Sequence, residues 1–462
     1  MKKTIEYECI ECGYKTSKWN GKCPKCQKFN TFQEIEYQDP IVTDNPAMQL
    51  KNVTKTERFK DVLCQDEERI LTGLNEFDRV MGGGIVKDSI TILSAKPGAG
   101  KSTLCIQICD YLAKQGLTVL YASGEESKTQ IKNRSKRLNL KNIDNVWISN
   151  NTNLNAVVND IEEKDADFVV IDSIQTFYLN EFLPSTEGNI KQVNECAKVL
   201  RNIAKNPNRP RMIMLIGQMT KEDELAGSRA LEHLVDTYIQ IDTADDDTLR
   251  TLFAIKNRYG NVGEMGFFNM ESDGLQSIDN PSEYFMTERN DAVIGSALTV
   301  IKEGTRPIIC EVESLTSQSY TPYPSRIGEA LKRDQLNILV SILEQRAKVN
   351  LYNKNVVIKT TGGIKLKEQN SNLAVLMSIV SSFYAKEIPN SYVYIADVGL
   401  TGELKKVPNL DMRIKELDRM NYEKVFIAPT NAKLPKTTKL NVVQCHTLLD
   451  VIKETFGSYK PQ

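Results

Sequence analysis

The chain of 462 residues contains no long hydrophobic run. Its longest apolar stretches, such as residues 212–216, are short, whereas a membrane-spanning helix needs roughly 18 consecutive apolar residues. The opening MKKTIEYECIEC has lysines but lacks the apolar core of a secretory signal. Internal repeats and low-complexity tracts are also lacking, and hydrophobic residues make up an ordinary 40%. We therefore expect a globular, cytoplasmic protein with no membrane partner.

The chain also has almost no net charge, because 59 basic residues stand against 60 acidic ones. The two signs are unevenly distributed along the sequence. Residues 285–462 hold 24 basic and 18 acidic residues, whereas the remainder holds 35 and 42. A mildly basic C-terminal third fits a polyanionic partner, although an ordinary solvated surface would give the same count.

Composition divides the chain into four segments. Residues 1–38 form a small cysteine-rich unit, and residues 39–68 are polar and are interpreted as a linker. From 69 to 282 short β-rich runs alternate with amphipathic stretches, and residues 283–462 have strands and helices of their own. Such alternation is typical of an α/β fold with a mostly parallel sheet. In the third segment we predict strands at 89–94, 118–122, 167–172, 211–217, 238–242 and 252–256, and helices at 101–115, 127–138, 188–204 and 228–234.

Four cysteines lie close together near the N-terminus. Cys9 and Cys12 form one CxxC pair, Cys23 and Cys26 form a second, and ten residues separate the pairs. Four thiolates are the ligand set that Zn2+ takes in a tetrahedron and that Mg2+ and Ca2+ avoid. We therefore predict a zinc site, with an iron–sulfur cluster as the alternative. A unit with so few large apolar residues needs such a metal to fold.

A phosphate-binding loop follows the strand predicted at 89–94. Residues 95–102 read AKPGAGKS, which is the pattern GxxxxGK[ST] with Ala95 in place of the first glycine. Its glycines let backbone N–H groups approach phosphates, Lys101 reaches the β- and γ-phosphates, and the Ser102 hydroxyl coordinates Mg2+. The residues predicted to bind the nucleotide are Ala95, Lys96, Pro97, Gly98, Ala99, Gly100, Lys101, Ser102, Thr103 and Asp172.

Acidic and amide side chains follow the later strands. Asp172 ends an apolar run and is the candidate that holds Mg2+ through water. Hydrolysis also needs a carboxylate that orients the attacking water, and we assign this catalytic role to Glu125, with Glu126 as the alternative. Gln218 follows the strand predicted at 211–217 and is a candidate sensor of the γ-phosphate.

Taken together, these blocks resemble the bacterial RadA (Sms) family of RecA-like DNA repair ATPases over nearly the whole chain. GGGI at 82–85, GAGKST at 98–103, SGEES at 123–127 and IDSIQ at 171–175 are similar to the family's motifs, as is the zinc segment. KNRYG at 256–260 resembles the family's KNRFG box, and DVGLTGE at 397–403 resembles its Lon-protease-like C-terminal domain. The sequence departs from the family at Ala95, and at Gln218, where the family usually has His and RecA itself has Gln.

The resemblance implies an α/β fold with a RecA-like P-loop ATPase core, a small N-terminal zinc module and a C-terminal Lon-protease-like α/β domain. It further implies a homohexameric ring that binds single-stranded and branched DNA and hydrolyses ATP with Mg2+. In this family the ring acts as a helicase-type motor in recombinational repair, promoting branch migration alongside the RecA recombinase. The competing functions are an ATP-dependent peptidase and a zinc-dependent DNA-binding regulator whose ATPase acts only as a switch.

Two loops are candidates for contacting DNA in the channel of such a ring. The loop at 180–192 contains Lys191, and the loop at 220–229 contains Lys221 and Arg229. Lysine and arginine neutralise phosphates, so these three residues are predicted to bind DNA. The second loop also carries three acidic residues at 222–224, which weakens its case as a simple phosphate binder.

Two cations of the KNRYG box are predicted to act on a neighbouring subunit. In a RecA-like ring the nucleotide lies at a subunit boundary, where a neighbour's cations can stabilise the transferring phosphate. We assign this catalytic role to Lys256 and Arg258, and a surface salt bridge is the alternative.

The C-terminal domain is predicted to be inactive as a protease. Lon-type peptidases use a serine nucleophile that is activated by a lysine. Matching the apolar helix pattern places Asn372 at the serine position and Asp411 at the lysine position, although a slip of one residue would bring in Ser371. We expect a scaffold that binds duplex DNA through its lysines. These are Lys359, Lys365, Lys367, Lys405 and Lys406.

Overall fold

The computed structural model describes residues 4–16, 18–37, 58, 68–219, 229–243, 248–287 and 291–457. The chain divides into two compact units, Met1–Asp242 with Arg250–Ser277, and Thr243–Leu249 with Ile278–Gln462. Most of the predicted linker at 39–68 lies outside the described residues, and the four segment bounds drawn from composition stay predictions. Among the helices that are described, none has the length and apolar character needed to cross a membrane.

The first unit begins with a small antiparallel sheet around the four cysteines. Its strands are β1 (Thr4–Cys9), β2 (Lys15–Thr16) and β3 (Phe32–Tyr37), in the order β2-β1-β3. The tight turn after β1 is closed by a hydrogen bond from the Gly13 amide to the Cys9 carbonyl oxygen, 2.8 Å long. Gly13 has a φ of 70°, a left-handed conformation that glycine adopts without strain.

The rest of this unit alternates strands and helices. Its helices are α1 (Asn75–Met81), α2 (Lys101–Lys114), α3 (Lys128–Arg137), α4 (Leu154–Glu163), α5 (Ile190–Ala204) and α6 (Arg229–Leu234). Its strands are β4 (Arg69–Ile70), β5 (Ile85–Val86), β6 (Ile90–Ala95), β7 (Val119–Ser123), β8 (Val146–Ser149), β9 (Phe168–Asp172), β10 (Met212–Gln218), β11 (Thr237–Thr243), β12 (Leu249–Asn257), β13 (Met265–Glu271) and β14 (Gly274–Ser277).

Nine of these strands form one sheet in the order β14-β13-β12-β11-β6-β10-β9-β7-β8. Strands β11 to β8 of that order pair in parallel, and β13 and β14 pair antiparallel. Successive side chains of a strand point to opposite faces of the sheet. Accordingly Leu93 packs in one hydrophobic core, whereas Ile90 and Ile92 pack in the other. Because both faces are buried, β6 is apolar along most of its length.

The second unit has its own mixed sheet of seven strands, in the order β18-β19-β17-β16-β21-β24-β25. Its strands are β15 (Val293–Ile294), β16 (Ser296–Glu303), β17 (Arg306–Gln318), β18 (Arg326–Gly328), β19 (Lys354–Thr360), β20 (Glu387–Ile388), β21 (Tyr392–Ile395), β22 (Asp397–Val398), β23 (Leu404–Lys405), β24 (Lys424–Ile427) and β25 (Asn441–Gln444). Its helices are α7 (Pro281–Tyr284), α8 (Arg333–Arg346), α9 (Asn372–Tyr384), α10 (Leu410–Arg419) and α11 (Leu448–Phe456). The predicted α/β class is confirmed in both units.

Candidate nucleotide site and metal centre

The carboxyl ends of four parallel strands meet at one edge of the nine-stranded sheet. Gln218 of β10 lies opposite Ala95 of β6, and Asp172 of β9 lies opposite Ser123 of β7. Ligands of open α/β sheets bind in the crevice outside this edge. A cavity of about 370 Å³ opens there. It is lined by Ala95, Pro97, Gly98, Gly100, Lys101, Ser102, Thr103, Glu125, Arg134, Asp172, Ile216, Gln218 and Met219.

The phosphate-binding loop forms one wall of this cavity. Ala95 is the last residue of a strand that is paired on both sides, so its extended backbone needs no glycine. Gly98 has a φ of 80°, and a Cβ built on it would meet no atom within 4 Å, which leaves room for a phosphate. The 14-residue helix α2 starts directly after the loop and directs its positive end at the cavity. Of the predicted loop residues, only Lys96 and Ala99 do not line this cavity within the described part of the chain.

Lys101 projects into the cavity from the first turn of α2. Its Nζ donates hydrogen bonds to the backbone carbonyls of Ala95, at 2.9 Å, and Lys96, at 3.4 Å. Burial lowers the pKa of the Lys101 amine, while the carboxylates of Asp172 and Glu125 oppose this shift. A desolvated ammonium group surrounded by carbonyl oxygens is suited to accept an anionic phosphate.

Asp172 is the last residue of β9 and lines the same cavity. Burial raises the pKa of its carboxyl group, and hydrogen bonds from Tyr121 and Ser102 oppose the shift. The Tyr121 hydroxyl donates to Asp172 Oδ2 at 2.5 Å. A hydroxyl and a carboxylate within hydrogen-bonding distance of each other are oxygen ligands of the kind that Mg2+ takes beside nucleotide phosphates. The donor set therefore fits a magnesium–nucleotide complex, in which the metal would neutralise developing phosphate charge.

Glu125 and Gln218 are brought together on the same side of the cavity. Gln218 Nε2 donates to Glu125 Oε1 at 2.7 Å, and the Ser173 hydroxyl donates to the same oxygen at 2.5 Å. The turn that carries Glu125 is held close to β9, because the Gly124 amide donates to the Asp172 carbonyl at 2.8 Å. A Cβ on Gly124 would lie 2.0 Å from the Thr176 hydroxyl oxygen, so only glycine allows this approach.

The Glu126 carboxylate is paired with an arginine of α3. Arg134 of α3 donates to both of its carboxylate oxygens, at 2.6 and 2.5 Å, and both side chains are largely shielded from solvent. Such a two-point pairing fixes a carboxylate and occupies its lone pairs. The structure therefore leaves Glu125 as the acceptor that faces the loop, whereas Glu126 is engaged by an arginine.

Arg134, Ser173 and Tyr121 are functional candidates that the sequence analysis did not identify. All three act through contacts with predicted site residues. Tyr121 had a local signal, because alternation along β7 places it on the same face as Ser123. Arg134 had none, because its position depends on how α3 packs beside the cavity.

The KNRYG box lies away from this cavity. Among the described residues that line the cavity, neither Lys256 nor Arg258 is found. Lys256 Nζ donates to the carbonyl oxygens of Glu232 and Val235, both at 2.7 Å, and so holds the C-terminal end of α6. Arg258 Nη1 contacts Asp236 Oδ1 at 2.9 Å, and its side chain is 49% exposed. Thus Arg258 is accessible from outside the subunit, whereas the Lys256 amine is engaged within it.

The two predicted DNA loops differ in how much of them is described. Lys221 and the side chain of Arg229 lie outside the described residues. Lys191 forms an ion pair with Glu8 of the zinc module, 3.1 Å between Nζ and Oε1, and its side chain is 21% exposed. The Ile10 carbonyl oxygen accepts two further hydrogen bonds from this loop, donated by the Ser185 hydroxyl at 2.9 Å and the Asn189 amide at 3.0 Å. DNA binding by Lys191 stays a prediction, and it would compete with Glu8 for the same ammonium group.

The four predicted metal ligands converge in the zinc module. Their sulfur atoms all lie within 4.8 Å of one another. The Cys9–Cys26 and Cys12–Cys23 sulfurs are each 3.6 Å apart. Four thiolates 2.3 Å from one zinc ion would be separated by about 3.8 Å, so the cluster fits tetrahedral Zn2+. Burial raises the pKa of the Cys12 thiol to about 12, whereas at Cys23 burial is outweighed by backbone hydrogen bonds at Cys26 and Lys25, which lower the pKa of Cys23 to about 7. A bound cation would favour the thiolate form of all four cysteines.

Replacing Cys26 by serine should remove the metal from this cluster. We expect about one zinc per chain in the wild-type protein and almost none in the variant, because three thiolates and a hydroxyl hold Zn2+ poorly. The loop at 183–191 should become more sensitive to proteolysis, because its partners at Glu8 and Ile10 belong to the zinc module. Metal analysis and limited proteolysis measure the two effects.

Cys196→Ser is the matched control, because Cys196 lies on the buried face of α5, away from the metal ligands. That variant should keep its zinc. A wild-type chain purified without stoichiometric zinc would contradict the metal assignment.

These geometries define a class of protein. The first unit has a P-loop between a central parallel strand and a helix, an acidic residue at the end of a neighbouring strand, and a glutamate that faces the loop. This combination defines an ATPase domain of the RecA-like type. The four-cysteine module in front of it is a zinc ribbon.

Comparison with known proteins narrows the class. A family model described as AAA domain matches residues 54–224, and one described as rubredoxin metal binding domain matches residues 7–34. The DNA repair protein RadA of Bacillus subtilis (strain 168) is 37% identical over 98% of both chains, and that of Streptococcus pyogenes serotype M3 (strain ATCC BAA-595 / MGAS315) is 38% identical over 99% of this chain and 100% of its own. A solved KaiC-like protein of Pyrococcus horikoshii OT3 aligns with 46% of this chain and 99% of its own, at 17% identity and a TM-score of 0.39. The chain belongs to the RadA family.

Proposed function

We propose that this protein is a DNA-dependent ATPase of recombinational DNA repair, a helicase-type motor that promotes branch migration alongside the RecA recombinase. It works as a homohexameric ring on single-stranded and branched DNA. The observation that carries the proposal is the cavity at the strand ends, where Lys101, Asp172, Glu125 and Gln218 surround one space. Both RadA relatives are named as DNA repair proteins, and this chain matches each of them over nearly its whole length.

Within this function Glu125 is the base that orients the attacking water. Its Oε1 atom is held by Gln218 and Ser173, so the carboxylate is positioned before the nucleotide binds. Gln218 bridges the base and the space predicted for the γ-phosphate. Loss of that phosphate after hydrolysis would therefore change a contact at the end of β10, the strand that runs into the predicted DNA loop at 220–229.

Arg258 acts on the nucleotide of the neighbouring subunit. The Arg258→Ala variant should bind ATP normally and lose hydrolysis by about 10³-fold or more, the amount that an arginine supplied in trans contributes. The fold should persist, because buried Asp236 keeps its ion pair with Lys205, 3.0 Å, and its hydrogen bond from the Ile90 amide, 3.2 Å. Nucleotide binding and hydrolysis are measured on the same sample.

A mixed assembly tests the trans role directly. Arg258→Ala subunits lack the arginine but have intact cavities, whereas Lys101→Ala subunits have defective cavities but supply Arg258. Assemblies co-purified from cells that express both should hydrolyse ATP, although each variant alone does not. Mixed assemblies as inactive as the single variants would show that Arg258 acts within its own subunit.

The second unit serves as a scaffold and not as a protease. Asn372 lines a cavity of about 880 Å³ together with Asp397 and Lys405. Its amide donates to Asp397 Oδ1 at 2.8 Å and accepts from Gln335 at 2.9 Å. Asp411 lines a different cavity, of about 410 Å³. Ser371 is fully buried and its hydroxyl donates to the Glu368 carbonyl, so within the described residues this region offers no serine to that cavity.

Two measurements test this scaffold role. ATP-dependent peptide cleavage that disappears in Ser371→Ala would contradict it. The proposed duplex contacts are five lysines whose side chains are exposed, namely Lys359, Lys365, Lys367, Lys405 and Lys406. Their replacement by glutamine should weaken duplex binding and flatten its salt dependence, while ATP hydrolysis persists.

A branch-migration assay tests the motor itself. Purified protein, ATP and a joint molecule made by RecA should give faster extension of the heteroduplex than RecA alone. The Lys101→Ala variant, which should assemble but not hydrolyse, is the matched control. Equal extension by the wild-type and the variant protein would refute the motor function.

A further inference from the structure

Three tyrosines stand out on the surface of the second unit. Tyr320, Tyr323 and Tyr352 are 95%, 89% and 80% exposed, more than any other large hydrophobic side chain of the described residues. Exposed aromatic groups in a cluster mark interaction sites, because each exposes a large apolar area to water. The nucleotide cavity and the zinc module lie in the first unit, so neither accounts for this feature.

The three tyrosines lie on two adjacent segments at the same end of the strands β17, β18 and β19. Tyr320 and Tyr323 are in the loop between β17 and β18, and Tyr352 is in the turn before β19. The Ser319 amide donates to the Asn353 carbonyl at 2.8 Å, and the Ser325 amide donates to Asn355 Oδ1 at 2.8 Å. The loop and the turn are therefore hydrogen-bonded to each other on both sides of the exposed rings.

The loop is also held internally. The Thr321 hydroxyl donates to the Tyr323 carbonyl at 3.0 Å, and the Ser319 and Thr321 hydroxyl oxygens are 3.2 Å apart. Pro322 and Pro324 flank Tyr323 and restrict its backbone further. Rings on such a fixed backbone have only two side-chain torsions to immobilise when they bind a partner.

The charge of these two segments is of one sign. Residues 314–328 and 347–367 together contain no aspartate or glutamate. They contain six cations, Arg326, Lys348, Lys354, Lys359, Lys365 and Lys367. Acidic residues of neighbouring segments meet this region at Glu313, which is paired in register with Lys359, and at Glu329 directly after β18. Glu344 and Glu303 also interact electrostatically with Arg326 and Lys367, respectively. Two adjacent segments with cations and no acid of their own are complementary to a polyanion.

An apolar row continues from the loops onto the sheet. Leu315 of β17 and Ile327 of β18 each lie opposite Val357 of β19, so the three side chains share one face. Leu315 is 64% exposed and Ile327 is 49% exposed. The surface thus combines flat rings, a short apolar strip and cations.

We propose that Tyr320, Tyr323 and Tyr352, with Lys348 and Lys354 on the same segment as Tyr352, form a surface that stacks the unpaired bases of a single-stranded nucleic acid. Aromatic rings interleaved with cations bind single strands because every base has a face to stack on and every nucleotide a phosphate to neutralise. Duplex bases are already stacked on one another, so they do not offer their faces. The inference rests on the proposed function in that it takes DNA as the polyanion, and it adds a single-strand site outside the ATPase unit.

Photocrosslinking of the full-length protein locates the contact. An oligothymidylate that carries 5-iodouracil is the probe, and an iodinated duplex of the same length is the comparison. We expect crosslinked peptides from 314–328 and 347–354 with the single strand and none there with the duplex. The absence of single-strand crosslinks in both segments would overturn the proposal.

Binding measured by fluorescence anisotropy tests the stacking itself. The triple variant Tyr320→Ala, Tyr323→Ala, Tyr352→Ala should bind the single strand at least about fivefold to tenfold more weakly, which is the loss expected from even one base–aromatic stack. The matched triple replacement by phenylalanine keeps the rings and should bind like the wild type, and duplex affinity should be equal in all three. Equal single-strand affinity in the alanine variant would overturn the proposal, as would an equal loss in the phenylalanine variant.

Light scattering on the same samples separates a protein partner from DNA. If the alanine variant has a smaller assembly mass than the wild type, the surface joins copies of this chain, and the proposal is wrong. DNA-stimulated ATP hydrolysis is recorded in parallel. A wild-type protein whose hydrolysis does not respond to DNA would refute the proposed motor. The crosslinking result would still test the tyrosine surface independently.

Discussion

Replacing Lys101 by alanine should abolish ATP hydrolysis while the protein stays folded. The Lys101 ammonium group is the cation of the loop that lines the cavity, and the carbonyl oxygens of Ala95 and Lys96 hold it there. Removal of one preorganised charge from a site where transition-state charge develops costs about 10²–10³-fold in turnover. Loss of each hydrogen bond lowers the free energy of unfolding by about 1 kcal/mol. The fold should persist, because the hydrophobic cores on both faces of β6 are unchanged.

Lys101→Arg is the matched control, because it keeps the charge but presents it on a planar fork. It should also turn over slowly, since the loop carbonyls are spaced for one ammonium group. Circular dichroism melting and a hydrolysis assay with saturating ATP measure fold and turnover separately. Turnover at the wild-type rate by the alanine variant would refute the site.

Replacing Glu125 by glutamine should also slow ATP hydrolysis strongly. Glutamine keeps the size of the side chain and can still accept from Gln218 and Ser173, but it cannot take a proton from water. Loss of a general base slows hydrolysis by about 10²–10⁴-fold, while ATP binding should persist because the phosphate loop is unchanged. Presteady-state hydrolysis and equilibrium binding of a fluorescent ATP analogue separate the two quantities.

Glu126→Gln is the matched control one residue away. This change loosens the pairing with Arg134, since a glutamine presents only one accepting oxygen to the guanidinium group. It should weaken the packing of α3 and leave most of the hydrolysis intact. If Glu126→Gln lost hydrolysis and Glu125→Gln kept it, the roles of the two glutamates would be the reverse of those assigned.

The nucleotide-binding half of the fold could be predicted from local patterns. The strand predicted at 89–94 is Ile90–Ala95, and the helix predicted at 101–115 is Lys101–Lys114. Both predictions depended on an apolar run, two glycines and a lysine at fixed spacing. These signals are local, because they lie next to one another in the sequence. The spacing of the four cysteines likewise predicted the cluster that the structure brings together.

Other parts depended on contacts that no local pattern records. The helix Leu154–Glu163 and the strands β13 and β14 were not predicted. Besides pairing with each other, β13 packs against α1 and β14 against α2, which are far away in sequence. Arg134 lines the cavity because α3 is anchored by Ile131, which packs in the same hydrophobic core as Tyr121 of β7. The prediction of a DNA role for Lys191 took no account of Glu8, which lies far away in sequence and occupies the ammonium group.

The rate of ATP hydrolysis with and without single-stranded DNA tests the central claim most directly. A motor couples ATP hydrolysis to DNA binding. We therefore predict that saturating oligothymidylate raises the turnover of the wild-type protein and does not stimulate the Lys101→Ala variant. The stimulation should weaken with added salt, because phosphate contacts carry the binding. A wild-type protein that hydrolyses ATP at the same rate with and without DNA would contradict the account.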